Sequence, residues 1–202
     1  MDILLQLPET ALQDVLRFQR NLSSNPERKI EYGSEGELKK SAVLIPLIWE
    51  KNQWEILFTR RSNHVQDHKG QVSFPGGMTE EEDATIVSTA LREAKEEINL
   101  DISDAHVIGF LPDYETSSRF KITPVVAVIR HSSKIRPCTN EVTHIFTIPV
   151  IFLADEKNYT TKMWKRSDGK RVPVLYYSEY EGELLWGITA RITNDLLTRI
   201  KK

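Results

Sequence analysis

Cysteine is nearly absent: the 202-residue chain has one, Cys138. A lone cysteine excludes an internal disulfide and gives a zinc site no second thiolate. A reducing, cytoplasmic setting is therefore expected, and Cys138, in a turn-like stretch after Arg136-Pro137, reads as structurally neutral. No apolar run approaches the roughly 20 residues of a membrane helix, so no membrane partner is expected. The opening MDILLQLPETALQ lacks the basic start of a secretory signal. The final Ile200-Lys201-Lys202 is not an S-K-L address. A dominant charge is missing too: 27 Lys and Arg face 29 Asp and Glu, a formal net of −2, which leaves no bulk basic field for nucleic acid. Internal repeats, low-complexity tracts, a Ser-His-Asp arrangement and a reactive cysteine are likewise not evident.

What is present is ordinary globular composition, 40% hydrophobic and 28% charged, enough for one domain with a sizeable core. Leu12, Val15, Leu16 and Leu22 fall at helical spacing, predicting a helix over Glu9–Leu22 with Pro8 near its first turn. Ser23–Lys40 reads as a connecting loop. Ala42–Glu50 and Trp54–Ser62 read as strands joined at Asn52, with Pro46 demoting the first toward an edge or bulge. Asn63–Lys69 reads as a polar loop, and QVSFPGG as a short strand and turn. Asp83 then caps a helix whose apolar stripe is Ala84, Val87, Leu91, Ala94 and Ile98, and Asn99 suits a left-handed helix end. Ala105–Leu111 and Ile122–Ile129 follow, then a helix-or-strand segment VTHIFTIPVIFL. A hairpin turning at Ser167-Asp168-Gly169 and a closing helix Ile188–Ile200 complete the chain. Interleaved strands and helices give a mixed-sheet α/β domain.

Within the middle helix Glu93, Glu96 and Glu97 stand at i, i+3 and i+4, so they are neighbours on one turn. Like charges so placed repel by a few tenths of a kcal/mol per pair, and Arg92, four residues before Glu96, relieves part of this. A lone pair of glutamates is a solvated acidic face. Three beside Phe74-Pro75-Gly76-Gly77, where backbone can approach closely, point instead to a divalent cation site. Its donors are carboxylate oxygens, joined by the carbonyl of Gly76, which suits Mg²⁺ or Mn²⁺ rather than Zn²⁺. His64 and His68 stand at i, i+4, but in a loop with no third ligand nearby, so they do not make a zinc site.

Gly77 to Ile98, with its Arg92-Glu93-Ala94-Lys95-Glu96-Glu97 core, resembles the Nudix box, G-x5-E-x7-R-E-U-x-E-E-x-G-U. Two departures are visible. One extra residue lies between Gly77 and Arg92, so that Asp83 takes the place of the first glutamate, and Asn99 replaces the last glycine. The extra residue is a feature of the coenzyme A pyrophosphohydrolase branch. That branch's upstream signature, L-L-T-x-R-S-x-x-L-R-x-H-x-G-Q-V-x-F-P-G-G, is similar to LFTRRSNHVQDHKGQVSFPGG over Leu57–Gly77. Val65 stands for its leucine and Gln66 for its arginine. Leu111–Val126 resembles L-P-x-Y-x-T-x-S-G-F-x-V-x-P-V-V with Arg119 for glycine; Asn140-Glu141-Val142 and Trp186–Ile192 resemble two further elements.

The resemblance implies a Nudix-type α/β/α sandwich with a mixed β-sheet: a single domain over 1–202, with an N-terminal helix and loop over 1–40 and the core over 41–200. It implies a metal-dependent enzyme that hydrolyses the pyrophosphate of coenzyme A or its derivatives to 4′-phosphopantetheine and adenosine 3′,5′-bisphosphate. Glu93, Glu96, Glu97 and Gly76 would hold Mg²⁺ or Mn²⁺, with Glu97 foremost. Arg92 would orient the carboxylates, and Glu141 would be the general base. Arg60, Arg61, Lys69, His68, Gln71 and Arg119 are the candidates for substrate contact. The segment Lys162–Glu183 is a candidate lining for the pantetheine side. The partner would be a small dinucleotide, and a homodimer is in keeping with the family. Two rival readings remain: a Nudix hydrolase of ADP-ribose, NADH or a diadenosine polyphosphate, and a Nudix-fold binding module without catalysis. Retention of all three glutamates argues against the module.

Overall fold

The computed structural model describes residues 3–24, 38–62, 70–116, 118–130, 134–138, 141–166 and 169–201. Its centre is a mixed sheet of eight strands. These are β1 (Lys39–Glu50), β2 (Gln53–Arg61), β3 (Val72–Ser73), β4 (Gly76–Met78), β5 (Ala105–Phe110), β6 (Tyr114–Glu115), β7 (Phe120–Ile129) and β8 (Val142–Pro149). The order is β3-β2-β1-β7-β5, with β4 on β1, β6 on β7 and β8 on β2. β1 and β7 run parallel and the other pairs antiparallel.

Alternation along β7 shows why the sheet needs cover on both faces. Val126 and Val128 enter one core with α1 (Glu9–Asn21), α3 (Val150–Ala154) and α4 (Gly187–Ile200). Val125, Ala127 and Ile129 enter the other with α2 (Ile86–Ile98). Successive strand residues face opposite ways, so a central strand that is apolar throughout must be covered twice. The expected α/β/α sandwich is what forms. Among the described residues no helix is long and apolar enough to cross a membrane.

Pro46 does not sit at an edge, as its chemistry suggested. It lies in β1 between β2 and β7, opposite Ala127. On the antiparallel side, β1 pairs with β4 over Ser41–Val43 and with β2 from Leu47 onward. Leu44 donates its N–H to Pro75 on that side. Pro46 has the same parity, so its missing donor falls in the gap between two partners and costs no ladder bond. The β1–β2 turn is made by Lys51 and Asn52, both left-handed, as a two-residue hairpin turn requires.

Other expectations shift by small amounts. Pro8 stands at the N-cap of α1, just outside the helix. The ambiguous VTHIFTIPVIFL is strand and helix in turn, β8 passing into α3 at Pro149. The late hairpin, β9 (Tyr159–Lys165) with β10 (Arg171–Tyr177), forms its own two-stranded sheet. In α4, Ile192, Leu196 and Ile200 are buried, while Ile188 is only partly covered.

Candidate active site

The site grows from the Pro75-Gly76-Gly77 turn and the helix facing it. Gly76 pairs with Val43 of β1, and a Cβ there would meet the Ala42 carbonyl oxygen at 2.3 Å. A Cβ on Gly77 would meet Glu93 Oε1 at 2.3 Å. The two glycines thus let β4 lie close to β1 on one side and to the α2 carboxylates on the other.

Asp83 is not the helix cap. Thr85 is: its hydroxyl accepts the Ser88 N–H at 3.1 Å while Ser88 Oγ accepts the Thr85 N–H at 2.8 Å, a reciprocal capping box. Ala84 accordingly lies ahead of the helix, and the fully buried stripe is Ile86, Ala90, Ala94 and Ile98. Asp83 is buried and serves as an anchor. It accepts the Glu80 N–H at 3.0 Å, the Thr89 hydroxyl at 2.9 Å and two N–H groups of Arg92. Burial alone would raise its pKa, but the bonds from Arg92, Glu80 and Thr89 together hold it below the ordinary carboxylate value.

Arg92 is the hub of this corner. Nη2 also donates to the Met78 carbonyl at 2.9 Å, and Nη1 lies 3.0 Å from Glu93 Oε1 and 3.4 Å from Glu96 Oε2. Its pKa is raised, chiefly by the hydrogen bond to Asp83.

The three glutamates are not equivalent. Glu96 is exposed, reaching back to Arg92. Glu93 is mostly covered, and burial raises its pKa against the opposing pull of Arg92. Glu97 is buried, 5% exposed. Its Oε2 accepts the Gly76 N–H at 3.3 Å, so the contact seen at Gly76 is through its amide. Burial pushes Glu97 up to about 8; Glu93 and Glu141 add to that, while Arg61 and the Gly76 bond oppose it.

Glu141 stands beside this group. Arg61 Nη2 lies 3.7 Å from its carboxylate, and its carbonyl accepts the Ser62 N–H at 2.6 Å. A register shift between Arg60 and Arg61 gives the two arginines different partners: Arg60 pairs with Glu183 at 2.5 Å instead of joining the carboxylates. Gln71 contributes its carbonyl, which accepts the Arg61 N–H at 3.0 Å. Arg119 is left-handed, φ 64°, in the turn before β7, which accounts for a glycine in the pattern at that position. His64, Gln66, His68 and Lys69 lie outside the described residues.

Sequence reasoning missed two parts. Glu183 had no signal linking it to Arg60. Cys138, read as neutral, donates its N–H to the Glu97 carbonyl at 3.0 Å, and Arg136 donates to that of Ile98 at 3.1 Å. Segment 134–138 therefore completes the end of α2, whose last carbonyls have no helical donor.

The donor set suits a divalent cation. Carboxylates are hard oxygen ligands, and buried Glu97 beside Glu93 and Glu141 is an excess of negative charge that a cation would offset. Among the described residues no three acidic, histidine or cysteine side chains converge on one point, with Arg92 drawing Glu93 and Glu96 to itself.

A mixed sheet between helical layers, with helix carboxylates laid on a Gly-Gly turn, defines a hydrolase of the Nudix type. The NUDIX domain model matches residues 38–168, and the chain belongs to that family, whose members hydrolyse pyrophosphate bonds and generally use divalent cations. A relative named "Uncharacterized Nudix hydrolase NudL" from Escherichia coli (strain SMS-3-5 / SECEC) is 36% identical over 163 residues, 80% of this chain and 83% of its own. A protein of the same name from Shigella boydii serotype 18 is equally similar, 36% over 163 residues. Among solved structures, a MutT/nudix family protein from Enterococcus faecalis matches 85% of this chain and 65% of its own at TM-score 0.55 and 13% identity. A NUDIX hydrolase from Alicyclobacillus acidocaldarius matches 83% and 94% at TM-score 0.50 and 14% identity. At such identities these two speak for the fold alone.

Proposed function

We propose that this Nudix hydrolase cleaves the pyrophosphate of coenzyme A or its derivatives, yielding 4′-phosphopantetheine and adenosine 3′,5′-bisphosphate. The observation that carries the chemistry is buried Glu97, set on the Gly76 amide between the charges of Glu93 and Glu141. A carboxylate so placed is poorly compensated by protein alone and suits a cation-binding role. Support for the substrate comes from the sequence: the signature over Leu57–Gly77 and the extra residue before Arg92. Within that signature Thr59 bonds Ser73 and Phe74 stacks on Phe58 at 5.0 Å, so part of it maintains the strand ends themselves.

Glu97, Glu93 and Glu96, with the carbonyl of Gly76, would hold Mg²⁺ or Mn²⁺. When bound, such an ion polarises phosphoryl oxygens and lowers the pKa of a coordinated water. Arg92, fixed by Asp83 and Met78, keeps Glu93 and Glu96 in place. Glu141 takes the proton from the attacking water as its oxygen bonds to one phosphorus and the other phosphate leaves. Arg61 keeps a positive charge beside the reacting phosphates and Glu141.

The test incubates purified protein with coenzyme A, ADP-ribose, NADH and a diadenosine polyphosphate, each with Mg²⁺ or Mn²⁺, and identifies products by mass. Metal-dependent release of phosphopantetheine, fastest from coenzyme A, is expected. Faster cleavage of another compound would overturn the substrate assignment.

A further inference from the structure

The hairpin β9–β10 stands apart from the main sheet, and its register puts Thr160, Lys162, Trp164, Val172, Val174 and Tyr176 on one face. Rings gather there. Tyr176 stacks on Trp186 at 5.6 Å and 7°, and Trp164 lies 6.5 Å from Trp186 at 41°. Lys162 Nζ sits 5.1 Å over the Tyr176 ring. Trp164, the outermost ring, is 55% exposed. The hairpin is also basic: residues 159–171 hold five Lys or Arg and one Asp, in a chain whose net charge is −2.

We propose that this face is the subsite for the nucleotide half of the substrate, the base stacking on Trp164 and its phosphates drawn by Lys162 of the same face. The inference rests on the coenzyme A reading and adds to it. Aromatic rings with a lysine beside them complement a planar, anionic nucleotide. They do not complement the uncharged pantetheine arm, for which this segment was first a candidate.

Three contacts tie the subsite to the strand ends that carry the carboxylate site. Tyr176 bridges Trp186, Glu183 pairs with Arg60 at the end of β2, and Thr189 donates its hydroxyl to the Val72 carbonyl at 3.1 Å. Val72 begins β3, which leads directly into Pro75-Gly76-Gly77.

The test titrates adenosine 3′,5′-bisphosphate into the full chain, wild type and Trp164→Ala, by calorimetry and tryptophan fluorescence. Steady-state kinetics on coenzyme A run in parallel. Trp164 is exposed, so its removal leaves the fold intact. Expected are fluorescence quenching in the wild type and affinity weakened roughly tenfold in the variant. KM for coenzyme A should rise with kcat retained, and 4′-phosphopantetheine binding should be unchanged. Lys162→Ala should weaken nucleotide binding again. Equal nucleotide affinity in wild type and Trp164→Ala would overturn the subsite, even with coenzyme A cleaved. So would no nucleotide binding, or hairpin-dependent sedimentation with phosphatidylglycerol vesicles in its place. Nucleotide binding lost in Trp164→Ala, in a protein that leaves coenzyme A intact, would uphold the subsite and overturn only the substrate assignment.

Discussion

Asp83 and Arg92 are joined by two hydrogen bonds, Nε to Oδ1 at 3.2 Å and Nη2 to Oδ2 at 3.1 Å. This pair absorbs the extra residue in the box: a shorter acid, one position farther from the arginine, reaches the same guanidinium that steadies Glu93. Asp83→Ala would remove that anchor and leave the Glu80 amide and Thr89 hydroxyl without their acceptor. A stability loss of about 3 kcal/mol in urea unfolding is expected, with activity reduced even where the protein remains folded.

The adjacent glycines should fail differently. In Gly77→Ala the atoms nearest the new methyl are the carboxylate end of the Glu93 side chain, which can swing away. The fold should survive, while the metal concentration for half-maximal activity rises at least about tenfold. In Gly76→Ala the methyl meets the Ala42 carbonyl and the Val43 backbone. That variant should lose about 2 kcal/mol or more of stability, read by thermal unfolding.

Glu97 sets a pH dependence in metal-free protein. Its folded pKa, about 8, lies above the ordinary 4.5, so between these values the folded state holds a proton that the unfolded chain has released. Its contribution is full below pH 4.5 and is lost as pH rises toward 8, by up to about 1.4 kcal/mol per unit. In chelator, wild type minus Glu97→Gln stability should therefore fall across this window. Saturating Mn²⁺ should reverse the fall, because the cation favours the ionised carboxylate.

Glu141→Gln separates proton transfer from metal binding. The amide keeps the side chain's shape, and the main-chain carbonyl of residue 141 stays bonded to the Ser62 N–H. An expected loss of about 10² to 10⁴ in kcat, with the metal half-saturation unchanged, assigns Glu141 to the base step. A shifted metal half-saturation would make it a ligand instead.

What could be read from sequence was what local physics decides. The α2 helix was legible from its periodicity, and Asn99 does take the left-handed end, φ 56°. Asn52 was legible because a two-residue turn needs positive φ. Pro46 and Asp83 misled for one reason: their local preferences, strand edge and helix cap, were overridden by partners removed along the chain but adjacent in space. Pro46 falls between two partner strands, and Asp83 meets Arg92 nine residues on. Burial of Glu97 was hidden because spacing gives the angle around a helix but not what packs against it. The Arg60–Glu183 pair spans 123 residues, which no single sequence pattern encodes.

The most direct measurement follows coenzyme A turnover and binding together, in wild type and Glu97→Gln, as Mn²⁺ is raised from zero. The account predicts phosphopantetheine release by the wild type only with metal, and a variant that binds coenzyme A yet cleaves it at least about a hundredfold more slowly. Metal-free cleavage by the wild type, or equal turnover by Glu97→Gln, would contradict it.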